Sequence, residues 1–415
     1  MKVLWFSNCV LGTNDSRGTG SWLYAMKNII SQKVDLYNIT YSWKNSDILC
    51  NKYSDLEEFI LPNYKLKNGL PSLKNIAKIK HIVDSINPDI IHIWGTERYW
   101  ALLFSSGYLK NTAILEVQGL LSSCYTAYYG GLSPKEISAC FGIKEFLKPN
   151  YILKNLRKDY KFRAIKSQEM IRGFEHISTQ SDWTRGQLSV LLPNNRNYHK
   201  TLMPIRREFY ESGKWYPKSR ENFVLFCSTS YFEPFKGIHI IIKALACIKK
   251  HIPTIMLEIA GVDKNNSWLR TNGYTKFIYR LIHELDVEKN VRFVGRLNAN
   301  EIATHLVETD IYINTSFVES YSVATAEALY LGVPSILAYS GAIPEFSAVK
   351  KTCIFYSPMD YIDCARKILS LLNSKEEQIV LSNNAISIME NQCSPIKVCQ
   401  TQLDIYAKVI DNSNN

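Results

Sequence analysis

The sequence predicts an α/β chain of two parallel-sheet domains, and three observations carry that prediction. Short apolar runs rich in Val, Ile and aromatics alternate with longer segments of helical spacing, as βαβ units do. The alternation comes in two series. Between them lies the polar stretch 203–222, with Pro204, Gly213 and Pro217, where few contacts need cross and a boundary is cheapest.

In the first series, the runs 2–7, 34–40, 89–95, 112–117 and 175–180 read as strands. Residues 1–11 carry one lysine and an apolar stretch, but Ser7 and Asn8 interrupt it. Asn14, Asp15 and Arg17 follow where a cleavage site would be wanted, so a first strand is expected rather than a leader. The second series begins at Phe223 and continues at 254–260, 291–295, 310–315, 334–338 and 352–356. Residues 394–410 place Val398, Leu403, Ile405, Tyr406 and Val409 on a helical stripe before a polar tail.

Composition narrows the class. The 415 residues are 46% hydrophobic and 21% charged, which excludes disorder over most of the chain. Nineteen glycines and fourteen prolines are too few for a collagen-like or linker-rich chain. Forty-nine basic against 38 acidic residues give +11, a balance suited to a phosphoester ligand, nucleic acid or an acidic membrane. The richest apolar stretch, 237–248, is broken by His239 and Lys243, so no bilayer span of about 18 residues is expected. Ten cysteines without a C-x-x-C pair read as reduced thiols, which fits the cytoplasm.

Open parallel sheets bind ligands beyond the carboxyl ends of their strands. After the first strand, Arg17-Gly18-Thr19-Gly20-Ser21 precedes a helix; it is either a flexible turn or a loop whose amides approach a phosphate or sugar. Glu233-Pro234-Phe235-Lys236-Gly237 places Lys236 at the start of a long helix, a position that suits a diphosphate. Glu319-Ser320-Tyr321-Ser322 follows another strand, and Glu327 lies two turns on among Val323, Ala324, Ala326, Ala328 and Leu331. A carboxylate buried there needs hydroxyls or amides around it.

The Glu-x7-Glu spacing, the Lys-Gly helix start about 80 residues earlier and Gly332-Val-Pro-Ser-Ile resemble glycosyltransferase family 4, as do Val291-Arg-Phe-Val-Gly295 and the loop from Gly341 to Glu345. Residues 88–97, 116–120 and 175–183 resemble the bacterial members that build capsule or O-antigen chains. The resemblance implies the GT-B fold: two Rossmann-like domains face across a cleft. Residues 1–207 are then an acceptor-binding domain joined by the helix 394–415, and residues 208–393 a donor-binding domain. It implies a retaining transfer from a nucleotide sugar, expected to be a UDP-sugar, with no cofactor; with no Asp-x-Asp pair or His/Cys cluster at ligand spacing, the transfer is expected to be metal-independent. Lys236 is expected on the donor diphosphate, Glu319 on the transferred sugar with Ser320, Tyr321 and Ser322 beside it, and Glu327 on the ribose. Gly295 and Arg296 would hold the base, and Gly18 and Gly20 the phosphates or sugar.

Two positions depart from the family's pattern. Tyr231 stands where relatives have an arginine, with Arg296 or Lys264 as candidates to replace its charge. Gln118 stands where they have a histidine; it can bind a sugar but cannot carry a proton. His92 either faces the cleft or is a satisfied core histidine, and Glu97 either orients an acceptor hydroxyl or pairs with Arg98 on the rim.

Residues 142–166 hold eight Lys or Arg against Glu145 and Asp159. Interleaved with Phe146, Leu147, Leu153, Leu156 and Tyr160, they read either as a surface for anionic lipid, fitting a polyprenyl-diphosphate-linked acceptor at the inner face of the plasma membrane, or as a solvated basic helix. Other readings are a nucleotide-sugar epimerase or hydrolase on the same fold, or a non-catalytic basic module. No nucleic-acid motif is present, so no nucleic-acid partner is expected.

Overall fold

The computed structural model describes residues 1–12, 20–192, 196–229, 232–261 and 271–414. Eight strands form the first sheet: β1 Lys2–Phe6, β2 Asp35–Ser42, β3 Leu49–Lys52, β4 Glu57–Pro62, β5 Ile90–Trp94, β6 Ala113–Val117, β7 His176–Thr179 and β8 Asn197–Lys200. Their spatial order is β3-β4-β2-β1-β5-β6-β7-β8, and every pair is parallel except β3 with β4. Six strands form the second: β9 Val224–Ser228, β10 Met256–Ala260, β11 Val291–Gly295, β12 Ile311–Asn314, β13 Ser335–Ala338 and β14 Ile354–Tyr356. All are parallel, in the order β11-β10-β9-β12-β13-β14.

The sheets place the site. β9 lies between β10 and β12, so chain direction across the sheet reverses there and the loops after β9 and β12 open side by side. The same reversal at β1 sets the loop after β1 beside the loop after β5. Inward-facing Ile, Leu and Val residues fill both faces, as continuous burial of β5 and β12 requires.

β3, β4 and β8 were not foreseen. β3 and β8 read Leu-Cys-Asn-Lys and Asn-Tyr-His-Lys; as sheet edges they need no apolar run.

The helix Pro395–Asn414 returns to the first domain and packs on the helix Trp22–Ile30. Val398, Ile405, Tyr406 and Val409 join Val3, Trp5 and Met26 in one core. Residues 121–160 make the opposite crossing: Tyr128, Leu132, Cys140 and Leu153 belong to the second domain's core with Ile240 and Ile241. His239 Nε2 meets the Gly130 carbonyl at 2.9 Å, Lys243 pairs with Glu136 at 2.7 Å, and Glu145 accepts from the Gly273 amide at 2.8 Å.

Candidate functional site

Lys236 ends a 3-10 turn, Pro234–Lys236, and Gly237 follows at φ +70°. A Cβ on Gly237 would lie 2.0 Å from the Thr315 carbonyl, so the close approach of the two loops depends on glycine. Thr315 Oγ1 donates to the Lys236 carbonyl at 2.7 Å, and the Phe317 amide to the Phe235 carbonyl at 2.7 Å. Across this joint, Lys236 Nζ reaches Glu319 Oε1 at 2.7 Å. Burial works against the charge on Lys236, but Glu319's charge and hydrogen bond outweigh it and hold the pKa above the usual lysine value.

Glu319 is fixed from behind. Its carbonyl accepts from the Ala342 amide at 2.8 Å, and a Cβ on Gly341 would come within 2.1 Å of that carbonyl. Ser320 bridges the domains: its Oγ accepts from the Leu120 amide at 3.2 Å, one residue past Gly119 in the loop carrying Gln118. Gln118 itself is half-buried just beyond β6. Glu345 makes a second bridge, accepting from the amides of Asp182 and Trp183 at 3.1 and 2.7 Å, where the positive end of the helix Asp182–Leu191 favours a carboxylate.

Several expectations are corrected. Glu327 is 1% exposed, and both its oxygens are held at 2.6 Å by the guanidinium of Arg206, so the group that satisfies it is an arginine rather than the hydroxyls or amides expected. Its pKa is raised by burial despite the arginine. Tyr321 turns its ring onto Phe346, 5.3 Å away, within the core rather than toward a donor. Ser322, at φ +89°, caps the helix Val323–Tyr330 by accepting from the Thr325 amide, so its hydroxyl is structural. His92 is fully buried, stacked on Trp94 at 3.8 Å and bonded through Nδ1 to Tyr406 Oη at 2.9 Å: it is a core histidine, and burial holds its pKa well below the usual value.

The remaining expected residues that the structure describes stand in loops at or beyond strand ends. Gly20 adopts φ +92° before the helix Trp22–Ile30, and Gly18 lies outside the described residues, as do Tyr231 and Lys264. Gly295, at φ +79°, ends β11 with open space where a Cβ would stand, and Arg296 beside it is exposed. Glu97 is exposed after β5.

Three supports escaped the sequence. Glu58 on β4 accepts from the Leu11 and Gly12 amides at 2.6 and 3.1 Å, fixing the entry to the glycine loop. Glu233 accepts from Tyr160 Oη at 2.9 and 3.2 Å. Arg206 reaches Glu327 across 121 residues of chain. No local pattern signals any of these pairings. Cys124, packed against the second domain's core, has its thiol pushed up to about 11 by burial.

The basic stretch divides. Leu153 is core, Leu156 and Tyr160 pack against the second domain, and Glu145 is 1% exposed, so the stripe read as lipid-facing is a packing face. The apolar groups left in solvent are Phe141, Ile143, Phe146, Leu147 and Tyr151, with Phe162 and Ile165 further along. Among the described residues no helix is long and apolar enough to cross a membrane.

Residues 211–387 match the family Glycosyl transferases group 1. An uncharacterized glycosyltransferase of Bacillus subtilis is 22% identical over 213 residues, 51% of this chain and 56% of that protein. The D-inositol 3-phosphate glycosyltransferase of Corynebacterium glutamicum is 29% identical over 161 residues, 37% of this chain and 36% of that one. The matches thus span between about a third and a half of these relatives' lengths. Among solved structures, sucrose-phosphate synthase from Thermosynechococcus elongatus superposes with a TM-score of 0.75 at 13% identity, covering 99% of both chains. Anabaena HepE in complex with UDP and glucose gives 0.67 at 16% identity, over 98% of this chain and 99% of that one. The chain has the GT-B fold of two α/β domains, and the stretch that is similar to glycosyl transferases group 1, residues 211–387, is the one that carries the second sheet.

Proposed function

We propose that the chain is a retaining glycosyltransferase that moves a sugar from a nucleotide sugar, with UDP as the nucleotide, to a lipid-linked glycan of bacterial surface polysaccharide. The observation that carries this reading is the Lys236–Glu319 pair at 2.7 Å, seated where the loops after β9 and β12 meet. In transfer, the bond from the anomeric carbon to the diphosphate breaks and the acceptor oxygen bonds that carbon on the same face. The acceptor proton passes to the leaving phosphate oxygen. Charge accumulates on the diphosphate, so a fixed ammonium beside it stabilises the transition state. Glu319 then accepts hydrogen bonds from the sugar hydroxyls, and Gln118 and Glu97 stand on the acceptor side. The transfer is proposed to need no metal.

HepE, bound to UDP and glucose, supports the donor class. The acceptor class is supported by Phe146 and Leu147, 73% and 70% exposed, beside Lys148 in the 142–166 segment; apolar groups flanked by lysines suit an anionic membrane surface, which supports the proposal that the enzyme works at its cytoplasmic face. Calorimetric titration with UDP, GDP and UDP-sugars, without added metal, tests the donor reading. Wild type is expected to bind UDP and Lys236→Ala to bind it at least about tenfold more weakly, with an unchanged thermal midpoint. A wild-type protein that binds no nucleotide refutes the reading.

A further inference from the structure

We infer that Arg163 is the second cation of the diphosphate site, facing Lys236 across the cleft from the first domain. The inference rests on the donor-site reading above. Lys236 is already neutralised by Glu319 at 2.7 Å, and one ammonium matched by one carboxylate leaves no net charge to meet a diphosphate. A further cation has to come from elsewhere.

The helix Leu153–Arg172 brings one. Tyr160, Arg163 and Ser167 follow i, i+3, i+7 spacing and share a face. At one end Tyr160 Oη donates to both oxygens of Glu233, three residues before Lys236. At the other, Ser167 Oγ meets Thr96 Oγ1 at 2.7 Å, beside Glu97 in the loop after β5. A rise of about 1.5 Å per residue makes that face about 10 Å long, so Arg163 stands midway between the donor loop and the acceptor side. Its guanidinium carbon lies 5.1 Å from the centre of the Tyr160 ring, an arrangement that fixes the side chain before any ligand arrives.

Among the described residues its ion pair is with Asp159 at 3.9 Å, 40% and 57% exposed. That is beyond hydrogen-bond reach, and such a pair competes weakly with a phosphate for the planar fork of donors.

Calorimetry with UDP and with uridine on wild type, Arg163→Ala and Arg163→Lys tests the inference. Arg163→Ala is expected to weaken UDP about 10- to 100-fold and leave uridine unchanged, so the preference for UDP over uridine collapses. Arg163→Lys should restore part of it. If wild type prefers UDP and Arg163→Ala keeps that preference, Arg163 is not in the site. If wild type binds neither ligand, the donor reading falls and the inference falls with it.

Discussion

At Glu116 the protein buries a carboxylate completely, on the strand next to the cleft. Ser178 and Thr201 donate to it, the latter at 2.8 Å, and His92 Nε2 stands 4.0 Å away. Burial still pushes its pKa up to about 7, against the hydrogen bonds that lower it. The unfolded chain would hold this group near the ordinary 4.5, so between about pH 4.5 and 7 the native state binds the extra proton. Stability should therefore fall as pH rises through that window, by a contribution on the order of 3 kcal/mol. Urea midpoints at pH 5 and 7.5 should show a smaller drop for Glu116→Gln than for wild type, and equal drops would assign the slope to other groups. Legibility in the sequence follows range. Lys236 and Glu319 stand in recognisable local patterns, and their pairing follows once β9 and β12 are adjacent. The partner of Glu327 was not legible, because Arg206 lies in a stretch with no motif of its own.

Among the elements, the helix Ile143–Leu147 is the one whose chemistry and packing diverge most. Its Glu145 is buried against the second domain while Ile143, Phe146 and Leu147 face water, an arrangement that costs solubility unless something apolar covers it. Phe146→Ser with Leu147→Ser should reduce sedimentation with vesicles containing anionic phospholipid, with no change in thermal midpoint; equal sedimentation would reject the membrane surface. Charge counting located this segment but misjudged its orientation. Periodicity identifies an apolar stripe, and only the fold decides whether that stripe meets lipid or, as for Leu153 and Tyr160, the other domain. Edge strands escaped for a related reason, since β8 is recognisable only from its partner β7.

Over the whole molecule, the packing of residues 121–160 on the second domain is joined by three polar connections: Ser320 to the Leu120 amide, Glu345 to the helix at Asp182, and Arg206 in the linker to Glu327. The last is a buried fork, 11% and 2% exposed at its side chains. Arg206→Ala should cost about 3–5 kcal/mol, because it leaves a carboxylate buried without its counter-charge; chemical denaturation measures it, and a loss under about 1 kcal/mol would make the fork incidental. Two-domain architecture was legible throughout, since apolar runs fix strands one by one. The mutual docking of the halves was not, because each connection joins positions far apart in sequence through one or two polar atoms.

The return of the helix Pro395–Asn414 has a consequence during synthesis. Trp5 Nε1 and His92 Nδ1 both bond Tyr406 Oη, at 3.0 and 2.9 Å, so strands of the first sheet wait for a helix that is translated after the whole second sheet. A ribosome would release the second domain able to close its own sheet while the first still exposes a greasy slot beside Trp5 and Met26. Until that helix arrives, the early half is a client for chaperones.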